Sequence, residues 1–125
     1  MRVRRIIYFH LGGLGDCIHD LSALSQLVSC YPTARVYYIC KTHANSIIKH
    51  SYLDKKIITV TVDNFFDVIK AIFKTPFRAD YFIVGCGSNI AKVNIFKKFL
   101  FPRFSGASLP DYPDQKLINF WTKAS

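Results

Sequence analysis

The sequence predicts an α/β domain built on a doubly wound parallel sheet. Short β-branched and aromatic runs alternate with helical patterns from one end of the chain to the other. The runs are continuously apolar, as strands buried on both faces should be. Strict alternation of strand and helix calls for crossover connections, which make neighbouring strands parallel and place helices on both faces. A length of 125 residues suits a single domain over 1–125, and no linker or internal repeat divides it.

Taken in order, Ile6-Ile7-Tyr8-Phe9 reads as a buried strand. Gly12, Gly13 and Gly15 break it, and a helix is expected from Asp16. Ile18, Leu21, Leu24, Leu27, Val28 and Tyr31 then recur at three- and four-residue spacing on one face, and Pro32 closes the helix. Val36–Cys40 is the second strand, and residues 43–50 suit a short helix. Ile57–Val62 is the third strand and the strongest such signal, being wholly β-branched. Asp63 is the expected N-cap of the next helix, whose face is Phe65, Phe66, Ile69, Ile72 and Phe73 and which ends before Pro76. Tyr81–Val84 is the fourth strand, punctuated by Gly85 and Gly87. Ser88 is the expected cap of a helix over 89–100, stopped by Pro102. A short fifth strand over 103–107 and a terminal helix capped by Asp114 complete the pattern.

Composition narrows the chemistry. All eight acids are Asp, so a Glu base, a Glu metal ligand or an E-x-x-H motif is excluded within this chain. The 17 Lys and Arg give a net charge of +9, spread as eight bases on residues 1–62 and nine on 63–125. That excess favours anionic partners without choosing among phosphorylated ligands, nucleic acid and membrane surfaces. The spread argues against the clustered basic face that an adaptor for nucleic acid or membrane needs. Cys17, Cys30, Cys40 and Cys86 form no C-x-x-C pair and lie in apolar runs, so buried free thiols in a reducing, cytoplasmic compartment are expected. His10, His43 and His50 show no metal-ligand spacing. No signal peptide is recognised, and no apolar run approaches the roughly 18–20 residues of a membrane span.

The first strand-to-helix turn, Leu11-Gly12-Gly13-Leu14-Gly15-Asp16, carries the candidate chemistry. Ligands of open α/β sheets bind beyond the carboxyl ends of the strands, and glycines let them approach the backbone. The turn is not a dinucleotide fingerprint. The third glycine position is Ile18, and Lys41 stands where a ribose-binding acid is needed. It instead places a carboxylate at a helix start. One reading makes Asp16 an N-cap, which stabilises a helix by about 1 kcal/mol. The other makes it a base open to a substrate hydroxyl.

The stretch Arg5–Leu24 resembles the opening of the lipopolysaccharide heptosyltransferases of glycosyltransferase family 9: a strand, a loop ending in Gly15-Asp16, and a helix with His19 and Ala23-Leu24 in register. Ser22 replaces the usual proline. Tyr31–Val36, Ala79–Val84 followed by Gly87, and Phe104-Ser105-Gly106 are similar to later segments of the family.

The resemblance implies a GT-B enzyme, of which this chain is the Rossmann-like amino-terminal half. Asp16 is then the catalytic base, the acceptor is a glycan or glycolipid, and the donor is a nucleotide sugar held by a second domain. Inverting transfer without metal or other cofactor is implied, as is a cytoplasmic site with peripheral inner-membrane contact as an option. Because no donor-binding segment is recognised, the chain alone is expected to be inactive, as a fragment or half of a split enzyme. The acceptor contacts expected are Gly12, Gly13, Gly15, His19, Lys41, Gly87 and Ser88. Each has a plainer alternative: a surface histidine for His19, a solvated lysine for Lys41, an ordinary helix cap for Gly87-Ser88. The basic, aromatic stretch from Lys92 to Phe104 suits either a membrane surface or a helix packing its Phe residues on the sheet, the second being preferred. A non-enzymatic basic domain binding a nucleotide or a membrane surface is the rival reading of the whole chain.

Overall fold

The structure is a computed structural model that describes residues 3–12, 14–85, 90–100, 102 and 104–107, with Leu14, Asp16, Ile90 and 104–107 described through the backbone alone. Nine elements alternate: β1 (Arg5–Phe9), α1 (Leu14–Cys30), β2 (Arg35–Cys40), α2 (Thr42–Lys49), β3 (Ile57–Thr61), α3 (Phe65–Lys74), β4 (Tyr81–Val84), α4 (Ile90–Leu100) and β5 (Phe104–Ala107). The strands form one parallel sheet in the order β3-β2-β1-β4-β5. The predicted fold class is therefore the observed one. The expected terminal helix at Asp114 lies outside the described residues.

The sheet's two faces follow from the period-two alternation of its strands. Ile6, Tyr8, Val36, Tyr38 and Ile83 meet Cys17, Ala23, Leu24, Leu27, Ala44 and Ile48 of α1 and α2. Ile7, Phe9, Ile39, Val60 and Phe82 meet Val68, Ala71, Val93, Phe96 and Leu100 of α3 and α4. Each large side chain so buried contributes about 1.5–3 kcal/mol. On the second face the Phe9 ring lies 5.2 Å from Phe96 and 6.0 Å from Phe82.

Several expectations are corrected. The helix α1 begins at Leu14, so Asp16 is its third residue rather than its cap. Ile18 is 63% exposed, because Cys17, Leu24 and Leu27 set the inward face. The strand β3 lies at the sheet edge, which leaves Ile58 exposed despite its β-branched surroundings. Cys17 and Cys40 are buried free thiols, but Cys30 is exposed at the end of α1.

The cap of α3 is Asn64, not Asp63. Asn64 Oδ1 accepts from the backbone N–H of Asp67 at 3.1 Å, and Asp67 Oδ2 accepts in return from that of Asn64 at 3.3 Å. The largest correction is the face of α3. Val68 and Ala71 turn inward, and their small side chains let the helix lie close to the sheet. Phe65, Phe66, Ile69 and Phe73 are left exposed, with Ile72 half-buried.

Burial also sets an alkaline limit. The Cys40 thiol is pushed up from 9.0 to about 12, first by burial and then by nearby Cys17, Asp20 and Asp63. Burial, and then Asp20, also pushes the Tyr38 hydroxyl upward. A group raised on folding binds its proton more tightly in the native state. Its stabilisation is complete below the unfolded value and is lost as pH rises toward the folded one. Unfolding in urea at pH about 8 and about 11 should therefore show a loss of about 2 kcal/mol from Cys40. Cys40→Ala should flatten that part of the profile, and a wild-type profile level to pH about 11 would contradict the assignment.

Candidate functional site

Parallel strands bring all their carboxyl ends to one edge. From β1 the chain moves outward through β2 and β3, then returns to β4 on the other side of β1. The strand order thus reverses between β1 and β4, where open α/β sheets form their binding crevice. His10, Leu11 and Gly12 leave β1 at that point, and α1 starts two residues after Gly12. Asp16 lies in the first helical turn, where unpaired backbone N–H groups favour negative charge. Gly15 is exposed, and a Cβ there would meet no atom within 4 Å. The glycine therefore leaves bare backbone open at the helix start.

Neighbouring strand ends hold this turn. His43, near the start of α2, donates from Nε2 to the Gly12 carbonyl at 3.0 Å. Lys41 is the half-buried N-cap residue of α2 but makes no side-chain cap bond. Asp63, following β3, substitutes for that cap. It accepts from the Thr42 backbone N–H at 3.1 Å and from the Thr42 hydroxyl. These two bonds hold the exposed Asp63 carboxyl below its usual range.

Beneath the turn lies a buried polar network that the sequence reading missed. Asp20, on α1 and only 3% exposed, accepts from three groups. The Tyr38 hydroxyl donates to Oδ2 at 2.6 Å and the Tyr8 hydroxyl to Oδ1 at 3.0 Å. His10 Nδ1–H lies 2.8 Å from both oxygens. Tyr8 and Tyr38 are register partners on β1 and β2, which brings their rings edge to face at 5.8 Å. A Cβ on Gly85, just beyond β4, would lie 2.3 Å from His10 Cγ. Only glycine fits there while the imidazole keeps this position. The signal available in sequence was a carboxylate, Asp20, on the inward face of an amphipathic helix, between Cys17 and Leu24.

Of the predicted contacts, Gly12, Gly15 and Lys41 gather at the carboxyl edge of β1 and β2. His19 is exposed on α1, one turn beyond Asp16. Gly13, Gly87 and Ser88 lie outside the described residues. Among the described residues, no group of three His, Cys, Asp or Glu side chains could hold a metal ion, and no helix is long and apolar enough to cross a membrane.

The solved structures most informative for this arrangement are sugar transferases. A glycosyl transferase family 9 protein from Veillonella parvula superposes with a TM-score of 0.62 at 15% identity, over 86% of this chain and 33% of that one. The E. coli heptosyltransferase WaaC, solved with ADP, superposes with a TM-score of 0.61 at 12% identity, over 83% of this chain and 34% of that one. The fold is that of the family 9 glycosyltransferases. The sequence resemblance to family 9 is thus matched in three dimensions, and at these identities the likeness is one of fold. The chain spans about a third of the length of these two proteins. No protein-family model and no curated protein matches the sequence.

Proposed function

We propose that the chain is the acceptor-side, amino-terminal domain of a GT-B glycosyltransferase, with Asp16 as general base. The observation that carries this reading is the position of Asp16. It sits in the first turn of the helix that follows a glycine turn, at the switch point of a sheet with the family 9 fold. An acceptor hydroxyl of a glycan or glycolipid approaches over the glycine turn, with Gly12, Gly13 and Gly15 among its contacts. It loses its proton to Asp16 as its oxygen attacks the anomeric carbon of a nucleotide-activated sugar, with heptose the family default. The nucleoside diphosphate leaves from the opposite side, so the anomeric configuration inverts. His19, Lys41, Gly87 and Ser88 supply further acceptor contacts, and no cofactor or metal takes part.

The donor belongs to a second domain in this reading, so the chain alone transfers no sugar. Calorimetric titration with nucleoside diphosphate sugars should show weak or no binding by the 125-residue chain. Micromolar affinity would mean a complete donor site here and would overturn the domain assignment. The rival reading, a non-enzymatic basic domain for a nucleotide or a membrane surface, draws on the net charge of +9. It predicts that Asp16 is dispensable in any reconstituted enzyme.

A further inference from the structure

The proposed chemistry leaves most of the net charge of +9 unused, and part of it is gathered far from the glycine turn. Arg5 and Arg35 open β1 and β2 and are register partners. By strand alternation both lie on the sheet face of Ile7 and Tyr37. With Arg4, Thr33, Tyr37 and Pro76 they line a cavity of about 500 Å³. It sits at the amino-terminal edge of the sheet, the full length of β1 away from the turn that carries Asp16.

Two features set these arginines apart from ordinary solvated bases. The first is their pairing. Like charges side by side on neighbouring strands repel. Yet none of Arg4, Arg5 and Arg35 forms an ion pair with a carboxylate among the described residues. Asp80, the acid that reaches this edge, turns its Oδ2 to the backbone N–H groups of Arg4 and Arg5 instead, at 2.7 and 3.2 Å.

The second feature is a fixed frame. The Arg4 carbonyl accepts from the Arg35 N–H at 2.8 Å, and the Arg5 carbonyl from the Asp80 N–H at 2.9 Å. The backbone that bears Arg4 and Arg5 is therefore held from the β2 side and the β4 side. The Thr75 hydroxyl donates to the Ala71 carbonyl at 2.5 Å, and the Arg78 N–H to the Leu100 carbonyl at 2.7 Å. These bonds fix the turn that carries Pro76. A cationic cavity on fixed backbone is preorganised for an anion, because less freedom is lost on binding.

We infer that this cavity is a second ligand site, which takes a small soluble molecule carrying a terminal phosphate group. Guanidinium forks bind phosphate oxygens in pairs. Arg5 and Arg35 offer two such forks side by side, Arg4 adds a third charge, and the exposed Thr33 hydroxyl adds a neutral donor. The volume falls in the range of about 300–1,000 Å³ typical of small-molecule pockets. It leaves room for the body of the molecule against Tyr37 and Pro76. A terminal phosphate carries about −1.5 to −2 at neutral pH. The internal diphosphate of a nucleotide sugar carries less charge on each phosphorus, so the cavity is not a donor site. It also works independently of sugar transfer, since it shares no residue with the glycine turn.

Calorimetric titration of the purified chain with inorganic pyrophosphate is the test, and one saturable site is expected. Arg5→Gln with Arg35→Gln should weaken binding roughly tenfold or more, because both forks are lost. Lys49→Gln with Lys70→Gln removes the same charge from exposed positions outside the cavity and should leave affinity within about twofold. Thermal melts check that the variants fold. Amide NMR of the parent chain needs no variant: pyrophosphate should shift Arg4, Arg5, Arg35 and Tyr37 while Leu11 and Gly12 stay in place. Absence of saturable binding overturns the inference, and so does undiminished binding in the arginine variant. Equal weakening in both double variants overturns it as well, since it reports general charge attraction. Shifts confined to Leu11 and Gly12 would place the anion at the glycine turn and overturn it too. The same holds for capture by phosphatidylglycerol vesicles without any response to pyrophosphate.

Discussion

Asp16→Asn should abolish most sugar transfer in an enzyme reassembled by fusing a donor domain to this chain, while leaving the fold nearly intact. The asymmetry follows from where Asp16 sits. As the third residue of α1 it is not the N-cap residue, and Asn keeps a side-chain acceptor oxygen in its place. What stability it loses is the favourable placement of negative charge in a first helical turn, about 0.3–1 kcal/mol. Asn cannot take the acceptor's proton, and losing a general base costs roughly 10²–10⁴-fold in rate. The loss should fall on turnover rather than on acceptor affinity, because the amide keeps the shape of the carboxylate. Asp16→Ala should lose activity to a similar degree. Turnover within a few-fold of the parent in both variants would return Asp16 to a structural role, and the exposed His19 one turn on would be the next base to test.

The sheet was legible in this sequence because nothing competes with its pattern. Apolar strands such as Ile6–Phe9 and Tyr81–Val84 have one stable place in an α/β domain, between two helical layers. Helix orientation was less legible. In α3 the bulky stripe of Phe65, Ile69 and Phe73 looks like the core face to any periodicity argument. The sheet instead selects Val68 and Ala71, whose size sets how closely the helix can lie. Caps were misplaced for a related reason. Asp63, Asn64 and Asp67 are all good acceptors, and the reciprocal bonds of Asn64 and Asp67 leave Asp63 to serve α2 across the loop. The glycine turn of the candidate site was readable because its residues are consecutive. His43 on Gly12, and His10 under Gly85, were not, since each joins positions brought together only by parallel pairing.

Asp20→Ala should be the most destabilising single substitution in the described core, on the order of 3–5 kcal/mol. The carboxylate gathers the Tyr8 and Tyr38 hydroxyls and the His10 imidazole, all buried. Alanine leaves three donors without this acceptor where water does not readily reach, and each unsatisfied group costs about 1–3 kcal/mol. Domains of this size have about 5–15 kcal/mol in all, so the variant should melt far earlier or fail to fold. Graded variants keep the argument testable. Tyr38→Phe removes one donor and leaves Asp20 with Tyr8 and His10, so it should cost only about 1 kcal/mol. Gly85→Ala should cost about 1–3 kcal/mol or more, by forcing His10 from its place. Because both Gly85→Ala and Asp20→Ala act through His10, their costs should not add. Urea midpoints for the parent, Asp20→Ala, Gly85→Ala and the double variant supply the cycle. An Asp20→Ala variant within about 1 kcal/mol of the parent would show that water or local rearrangement satisfies the three donors. The network also bears on the site, since His10 is the residue from which the glycine turn leaves β1. Asp20 variants that still fold should therefore loosen the turn carrying Asp16, with faster amide hydrogen exchange at Leu11 and Gly12 than in Tyr38→Phe.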